Sequence, residues 1–600
     1  MSNTRIALPW IVTQMPRLGH DSTLEHSRDP LPDKNAPLDN PGDILSLLIK
    51  MTLCGPVLVD PALSDGNNPE DHRYELVNPP EPSQDHPSAY MGEDPYYSSQ
   101  DVSMDRKPIL DNSEERRASN EGSDQEAGTE SGGDPNLVTW SGPNDPKNPL
   151  NWSRSRKWAA TLLVSCFTFI SPVSSTMVAP ALPTIDDEFG IRSEIEQYLV
   201  MSIFLLAYAI GPFVLAPLSE IYGRVIVLQL ANLFYLVFNT VCGFANSRSQ
   251  ILAFRFLSGL GGSAPQALGG GVLSDCWRAE ERSTATAIYS VAPFLGPAVG
   301  PIAGGYLAQY MSWRWIFWIV SMADALVQLL AFLFLQETYA PRILAVKRKK
   351  LRQKTGNKLL HTEWDRPDRT FGQILRKNLI RPFIMLFTQP AIQALALYRA
   401  YQYGLMYLVL ASFPMVWEDA YNQDKGTASL NYISLGVGFI VGLQICGPIN
   451  DKIYKTLQTY YSHPGRPEFR IPLMLPGGLL VPIGLFLYGW SAHFHTHWIV
   501  PNIGAAIFAI GLIISFQCAQ VYVVDAYTRY AASATGAAAF VRTIAGFGFP
   551  LFAPSLYKTL GLGWGNSVLG FASLGLGIVA PILLWFYGEW LRGKSQYCAG

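Results

Sequence analysis

The sequence predicts an all-α membrane protein with twelve transmembrane helices in two six-helix pseudo-repeats, preceded by a disordered N-terminal tail. Of its 600 residues, 48% are hydrophobic and only 15% are charged, whereas a soluble chain carries roughly 25% charged residues. After Trp152, apolar runs recur between short polar loops, each about as long as the roughly 20 residues that cross a bilayer. Segments this apolar satisfy their backbone polar groups only as helices.

The first 150 residues form the first predicted domain, a disordered cytoplasmic tail. Pro, Asp, Glu, Ser, Asn and Gly are frequent there, as in the stretches that begin at Asn112 and Gly122. Too little apolar surface is available to offset the entropy of ordering. No charged segment leads into a long apolar core after Met1, so we expect no signal peptide and a first membrane helix that directs its own insertion.

The loops between the apolar runs predict the orientation. The connection 341–382 carries thirteen Lys or Arg residues against three acids, and the loop between the first two runs is acidic. Because cytoplasmic loops are enriched in Lys and Arg, both termini and this connection are expected in the cytoplasm. The predicted domains are therefore the tail 1–150, a six-helix bundle 151–340, a basic cytoplasmic loop 341–382, a second bundle 383–590 and a cytoplasmic C-terminal tail 591–600. The twelve spans are expected near 158–180, 197–217, 225–245, 250–273, 284–309, 315–335, 391–413, 429–448, 471–490, 498–519, 533–556 and 566–588.

The two halves of the chain repeat each other. A Pro-containing turn that begins at Ala216 follows the second span, and a similar one that begins at Gly447 follows the eighth. Asp275 and Asp525 likewise stand at the ends of the fourth and tenth spans. Internal repeats of this kind are typical of secondary transporters, whose substrate sites lie between the repeats near the middle of the membrane.

Several other function classes find no support in the sequence. The seven cysteines are scattered and form no CxxC pair, so neither a zinc site nor a disulfide framework is expected. The stretch from Gly588 to Ser595 fits the pattern GxxxxGK[ST], but it follows an apolar run instead of the strand that a phosphate-binding loop requires. We therefore expect no enzyme activity, no cofactor, no metal, no ATP and no nucleic-acid partner, and an ion gradient as the source of energy.

A loop motif carries the first family resemblance. Over residues 145–595 the chain resembles the major facilitator superfamily, and within it the twelve-helix drug:proton antiporters of fungi. The loop 216–224 is similar to the superfamily motif G-x-L-a-D-r-x-G-r, with Ala216, Glu220 and Ile221 in place of Gly, Asp and the first Arg. The carboxylate is expected near a helix N-terminus, and Arg224 is expected to pair with Asp275. The resemblance implies that this cluster holds the cytoplasmic side shut; plain topological anchoring is the alternative.

The fourth span contains an arginine in a second motif. Arg255 and Gly259 resemble the family motif R-x-x-x-G. An intramembrane arginine is costly and is expected to face the bundle interior or water. The resemblance implies a part in proton transfer, and since arginine does not deprotonate, its role would be to tune a neighbouring acid or water. A purely structural role in hydrogen bonding is the alternative. Asp324 in the sixth span is a further candidate proton carrier; the resemblance implies a peripheral scaffold helix there, which is the alternative.

The fifth span carries the most specific motif. Its sequence matches the antiporter motif G-x-x-x-G-P-x-x-G-G at every fixed position, which here are Gly296, Gly300, Pro301, Gly304 and Gly305. Glycines four residues apart line one face of a helix and let another helix approach closely. The prolines of this span permit bending. The resemblance implies antiport, and a simple packing seam is the alternative.

Polar and aromatic residues of the second half are candidates for the substrate cavity. Arg399 and Tyr401 lie in the seventh span, where aromatic rings near a positive charge suit planar ligands. By family analogy, Gln393, Gln444 and Gln517 stand on inner helices. Simple packing is the alternative for each of these side chains.

Together the motifs predict a secondary transporter that exports small organic molecules, such as drugs, toxins or secondary metabolites, in exchange for protons by alternating access. An uptake permease or facilitator of the same fold, and a membrane sensor that transports nothing, remain as alternatives. The expected partners are the small-molecule substrate, protons and the lipid bilayer. The expected location is the plasma membrane, with the vacuolar membrane as the alternative. Deletion of residues 1–145 is expected to spare transport.

Overall fold

The computed structural model describes residues 134–278, 281–365, 371–595 and 597–598, with the backbone alone at 283, 371–378 and 529. The predicted tail 1–133 lies outside this part of the chain. Within the described residues the protein is helical, and its one β-feature is an isolated bridge between Leu137 and His361. The all-α architecture predicted from the apolar runs is confirmed.

The first half contains eight α-helices. They are α1 Arg154–Thr176, α2 Leu182–Phe189, α3 Glu194–Tyr222, α4 Arg224–Cys242, α5 Arg248–Gly262, α6 Ala264–Cys276, α7 Arg282–Tyr310 and α8 Arg314–Phe334. Short 3-10 turns precede α1 and α2 at Pro149–Asn151 and Ala179–Ala181.

The connection and the second half contain eight more α-helices. They are α9 Ala340–Thr355, α10 Phe371–Thr388, α11 Pro390–Pro414, α12 Lys425–Leu430, α13 Tyr432–Tyr461, α14 Met474–His493, α15 Ile499–Ala526 and α16 Ala531–Gly593. A π-helical turn Met415–Ala420 follows α11, and 3-10 turns Pro467–Arg470 and Thr528–Tyr530 precede α14 and α16.

Three predicted spans differ from separate unbroken helices. The fourth is broken into α5 and α6 at Ser263, next to two glycines and to Pro265, which has no N–H for the helical ladder. The eleventh and twelfth run on as α16, which breaks at Gly561, where φ is 70° and an L side chain would be strained. Among the described residues nine helices are apolar and long enough to cross a membrane, and α10 with α11 gives a tenth span bent by 96°. Dividing α16 at its break and joining α5 to α6 accounts for the twelve spans.

Glycines set the close approach of helices in the second half. A Cβ at Gly478 on α14 would lie 2.9 Å from the carbonyl oxygen of Gly577 on α16. On the other side of α14, a Cβ at Gly504 of α15 would lie 2.6 Å from the backbone nitrogen of Tyr488. Without side chains at these points the backbones pack directly against each other, and α14 is held between its neighbours.

The last part of the predicted tail is ordered, contrary to the boundary at residue 150. The backbone N–H of Val138 donates to His361 O at 2.7 Å, and Val138 is buried. Lys347 on α9 donates to Thr139 O at 2.7 Å and to Ser141 Oγ at 2.9 Å. Residues 134–150 therefore dock on the connection 341–365, which is partly helical instead of the plain loop that its charge suggested.

A buried carboxylate stabilises this docked segment. Asp145 accepts the backbone N–H groups of Ser141 and Lys147, both at 2.9 Å. These two N–H groups hold the pKa of Asp145 below its usual range. Local hydrogen bonds of this kind order a polar segment that has few apolar residues of its own, which explains why composition alone predicted disorder here.

The docked segment changes the expectation for tail deletions. Removal of residues 1–133 is expected to leave transport and thermal stability unchanged, because the contacts of residues 134–150 remain. Removal of residues 1–150 breaks those contacts and should lower the melting temperature by a few degrees, since the net contribution of each lost hydrogen bond is about 1 kcal/mol. The pair of deletions, compared by thermal unfolding in detergent, tests this. Equal melting temperatures would show that the docked segment adds no stability.

Candidate substrate cavity and its charged clusters

A cavity of about 630 Å³ lies between the two halves. We call the end of the bundle that carries α9 the loop face and the end that carries α2 the far face. The cavity extends to the loop face, where Glu220, Arg381 and Tyr530 line it. Helices α3, α6 and α7 of the first half and α10, α11, α15 and α16 of the second half contribute its walls.

Polar contacts close the cavity at the far face by joining the two halves. Among the described residues, the hydrogen bonds that cross the interface there run from Lys425 Nζ to Thr184 Oγ1 at 2.7 Å, from Gly426 N to Gln309 Oε1 at 2.7 Å, from Lys558 Nζ to Glu194 Oε1 at 3.0 Å, from Ser429 Oγ to Ile302 O at 3.4 Å, and between Ser175 Oγ and Tyr407 OH at 2.9 Å. The molecule is thus sealed at the far face while its cavity reaches the loop face.

Two of the five candidate cavity residues line the cavity. Arg399 and Gln517 are part of its wall. Arg399 is 3% exposed, and its guanidinium carbon lies 4.3 Å from the ring centre of Phe516. Arg542, on α16, lies 5.5 Å from the centre of the same ring. Aromatic rings and cations therefore alternate along the second-half side of the cavity.

The other three candidates lie outside the cavity wall. Tyr401 donates to the carbonyl oxygen of Leu569 at 2.7 Å and so packs α11 against α16. Gln393 donates to Phe387 O at 3.0 Å across the bend between α10 and α11. Gln444 is exposed on α13. Tyr401 and Gln393 lie on α11, a helix of the cavity wall, but its rotation turns their side chains away from the cavity. Gln444 lies on α13, which contributes no residue to the wall.

The motif after the second span forms an ion-pair cluster at the loop face. Arg224 Nε donates to Asp275 Oδ2 at 2.5 Å, and both side chains are largely buried. Glu337, which follows α8, accepts the backbone N–H groups of Arg224 at 3.0 Å and Val225 at 3.3 Å. The carboxylate at the N-terminus of α4 is thus Glu337. Glu220, for which the sequence suggested this place, lies in the last turn of α3 and lines the cavity.

The second half has a matching cluster. Arg470, which stands just before α14, donates to Asp525 at 3.1 Å and to Asp451 at 2.6 Å. Next to it Arg592 pairs with the buried Glu468 at 2.8 Å. Each half therefore ties the start of its third span to the end of its fourth through one arginine and one aspartate.

Charge neutralisation at the first cluster is expected to impair transport and stability together. Arg224→Gln leaves Asp275 partly buried without its cation, which costs about 3 kcal/mol or more for a buried pair. Both Arg224→Gln and Asp275→Asn should reduce transport several-fold and lower the melting temperature. The swap Arg224→Asp with Asp275→Arg should recover part of both losses. A swap no better than the single variants would argue against the ion pair as the cause.

The arginine of the fourth span is held by backbone oxygens. Arg255 is fully buried and lies 4.9 Å from the ring centre of Phe204. Its four hydrogen bonds run from Nε to Val200 O at 3.2 Å, from Nη1 to Ser174 O at 2.8 Å, and from Nη2 to Ser175 O at 3.2 Å and Met201 O at 3.3 Å. The side chain thus ties α5 to both α1 and α3, and no described carboxylate hydrogen-bonds to it.

The glycines of the fifth span form a seam against α1. A Cβ at Gly300 would lie 2.7 Å from both Thr176 Oγ1 and Val173 O. A Cβ at Gly296 would lie 2.9 Å from Phe169 O. Gly304 continues the same face. Gly305 faces the other half instead, where a Cβ would lie 2.8 Å from Lys425 O of α12.

Pro301 continues the proline series of α7, after Pro293 and Pro297. The carbonyl oxygen of Pro297 accepts Thr176 Oγ1 at 3.3 Å, so the proline stripe also contacts α1. The motif therefore builds both the packing of the first half and its contact with the second.

A polar cluster surrounds the candidate acid of the sixth span. Asn232 on α4 donates to Asp324 Oδ2 at 2.9 Å and to Gln328 Oε1 at 3.0 Å. Asp324 is fully buried between α4 and α8 and does not line the cavity. This position fits a contact that holds two helices of one half together.

Sequence reasoning missed Arg542, Phe516 and Arg470, and it assigned no contact to Glu337. Arg542 had a usable signal, since it is a charged residue within an apolar run. Arg470 stands in the second half where Arg224 stands in the first, so the repeat could have indicated it. Phe516 had no such signal, because an aromatic residue in a membrane span is ordinary.

Comparison with known proteins agrees with this architecture. A family model described as Major Facilitator Superfamily matches residues 164–550. The chain belongs to the major facilitator superfamily. Superfamily relatives include efflux pump vrtL of Penicillium aethiopicum, 47% identical over 467 residues that cover 78% of this chain and 92% of that protein. Another is efflux pump radE of Floropilus chiversii, 39% identical over 465 residues, 77% of this chain and 86% of that protein.

Among solved structures, this superfamily fold resembles the xylose transporter XylE from E. coli in a partially occluded inward-open conformation. The TM-score is 0.53 at 16% identity, over 72% of this chain and 98% of that one. At this identity the likeness concerns the fold alone. The chain is thus a multi-pass membrane transporter of the superfamily.

Proposed function

We propose that the protein exports small organic molecules by alternating access and that protons moving inward drive the export. The observation that carries the proposal is the cavity between the halves, which reaches one face and is closed by inter-half hydrogen bonds at the other. Relatives that share most of the chain are named efflux pumps, and Gly305 of the antiporter motif in α7 contacts the second half.

Alternating access requires the two halves to rock against each other around the cavity. The far-face hydrogen bonds would break as that side opens. The clusters of Arg224 with Asp275 and Arg470 with Asp525 would keep each half rigid while the halves move. In this proposal Glu220 at the cavity mouth is the carboxylate best placed to meet protons from the loop face, and Arg255 holds α1, α3 and α5 together.

The proposed location is the plasma membrane, with the loop face and both termini in the cytoplasm. Positive charge on α9 supports this orientation, since basic segments stay on the cytoplasmic side. A proton that enters down the membrane potential supplies about 2.3 kcal/mol per 100 mV, before any pH difference. Vacuolar placement would keep the same orientation relative to the cytoplasm.

Sealed vesicles with the purified full-length protein test the proposal. An imposed pH gradient is expected to drive accumulation of fluorescent organic solutes, and a protonophore should abolish it. Vesicles without protein and vesicles with equal pH on both sides are the controls. Accumulation that ignores the gradient would replace the antiporter with a facilitator, and tagged termini accessible only from outside intact cells would reverse the orientation.

A further inference from the structure

Two arginines of the cavity wall have no carboxylate partner among the described residues. Arg399 is 3% exposed, and its Nε and Nη1 groups are buried without donating to any described residue. Nε of Arg542 is likewise buried and without an acceptor among the described residues. Neither arginine belongs to an ion pair within the described chain.

Arg399 and Arg542 differ in this respect from the other buried or half-buried arginines described above. Arg224, Arg470 and Arg592 all have carboxylate partners, and Arg255 uses four backbone carbonyl oxygens. Charges away from water are expensive unless hydrogen-bonded and paired. Buried guanidinium N–H groups that reach no acceptor among the described residues and border a cavity are available to an anionic ligand.

The residues around the two arginines indicate the shape of ligand that this part of the cavity suits. Phe516 lies against both guanidinium groups, at 4.3 Å from Arg399 and 5.5 Å from Arg542. Tyr403 contacts Arg542 at 4.9 Å. Tyr289, Phe294 and Phe540 add further rings to the wall. Aromatic walls bind flat apolar bodies, while the fork of an arginine binds a carboxylate through two parallel hydrogen bonds.

The charge of the lining favours anions over cations. Among the described residues of the wall, three arginines, at positions 381, 399 and 542, stand against one carboxylate, at Glu220. Glu220 stands at the loop-face end, whereas Arg399 and Arg542 stand deeper, beside Phe516. A cleft of one sign concentrates ligands of the opposite sign and repels ligands of its own.

We infer that Arg399, Arg542 and Phe516 form a binding site for an organic anion with an aromatic body, held by its carboxylate or phenolate. This inference rests on the proposed transport function for its physiological meaning, but the binding site stands by itself. It narrows the cargo from small organic molecules in general to aromatic acids. Arg399 and Arg542 then act as specificity-determining residues.

Three matched fluorescent probes test the site in the purified full-length protein. Pyrenebutyrate, pyrenebutanol and pyrenebutylamine share one aromatic body and carry a negative charge, no charge and a positive charge at neutral pH. Fluorescence titration should show the anion binding at least about tenfold more tightly than the amine, because charge-assisted hydrogen bonds to the guanidinium groups form only with the anion. Equal affinities, or tighter binding of the amine, would overturn the inference.

Variants then assign the effect to the named residues. Arg399→Gln and Arg542→Gln should each weaken pyrenebutyrate binding about tenfold and leave the amine unchanged or better bound. Arg154→Gln, at an exposed position of α1, is the matched control and should change nothing. Arg399→Lys keeps the charge without the fork and should fall between wild type and Arg399→Gln. Unchanged anion binding in folded Arg399→Gln and Arg542→Gln would remove these residues from the site.

The same probes separate the two proposals. Anion binding without transport in vesicles would retain the site and reject the proposed export. Gradient-driven transport of the amine in preference to the anion would retain the transporter and reject the anion site. Melting temperatures of the arginine variants add an independent readout: since removal of a buried charge without a partner relieves a desolvation cost, Arg399→Gln should be at least as stable as wild type.

Discussion

Gly304→Ala is expected to reduce transport to less than about a tenth and to lower the melting temperature, although it adds a single carbon atom. A Cβ at this position would overlap the carbonyl oxygen of Met177 at the end of α1. The obstacle is backbone and cannot rotate away, so α7 must move from α1. Overpacking of this kind costs about 1–3 kcal/mol. The displaced helix, α7, also contacts the other half through Gly305.

The matched control is Gly548→Ala in α16, where no heavy atom lies within 4 Å of an added Cβ. This change should leave transport unchanged and raise stability slightly, by up to about 1 kcal/mol, since alanine favours the helix. Transport in vesicles and thermal unfolding are measured for both variants. If Gly304→Ala transports as well as Gly548→Ala, the seam between α1 and α7 is not tight in the working protein.

Arg255→Met is expected to abolish transport by destabilising the first half. The substitution leaves the carbonyl oxygens of Ser174 and Ser175, in the last turn of α1, without the donors that they have in the wild type. It also removes the second donor of Val200 O and Met201 O, which keep their helical N–H donors within α3. Each buried group left without a partner costs about 1–3 kcal/mol. Together these losses are large against a typical stability of about 5–15 kcal/mol, so the folded yield and the melting temperature should both fall sharply.

Arg255→Lys separates this structural role from a role in coupling. Lysine keeps the charge but has one nitrogen and no planar fork, so it can satisfy only part of the four acceptors. In a structural role, the lysine variant melts at a lower temperature, and its remaining transport still depends on the pH gradient. A variant with normal stability whose transport ignores the gradient would instead support the proton-transfer role that the motif implies.

An anionic cargo would also bear on the energy source. Export of a monovalent anion from a negative cell interior is favoured by about 2.3 kcal/mol per 100 mV, even without a proton. Among the described lining residues Glu220 at the cavity mouth is the one carboxylate. The inward movement of protons and the outward movement of the anion are then both favoured by the membrane potential. Protons therefore have to supply less free energy than for a cationic cargo.

The sequence by itself determined the membrane class, the spans and the motifs. Hydrophobic length and helical period are local properties of a chain, and the residues of one span are enough to show them. The internal repeat likewise indicated Asp275 and Asp525 at the ends of their spans, and the glycine motif indicated one face of α7.

Tertiary structure alone decided which side chains meet. Arg399 and Arg542 come from helices more than a hundred residues apart, and their shared contact with Phe516 on a third helix depends on how each helix is rotated in the bundle. Tyr401, two residues from Arg399, points instead toward Leu569. A rotation of 100° per residue sends neighbours in sequence to different sides, and the sequence of one helix does not show what lies on each side. Residues 134–150 are ordered for the same reason: they contact Lys347 and His361, which lie about two hundred residues away in the sequence.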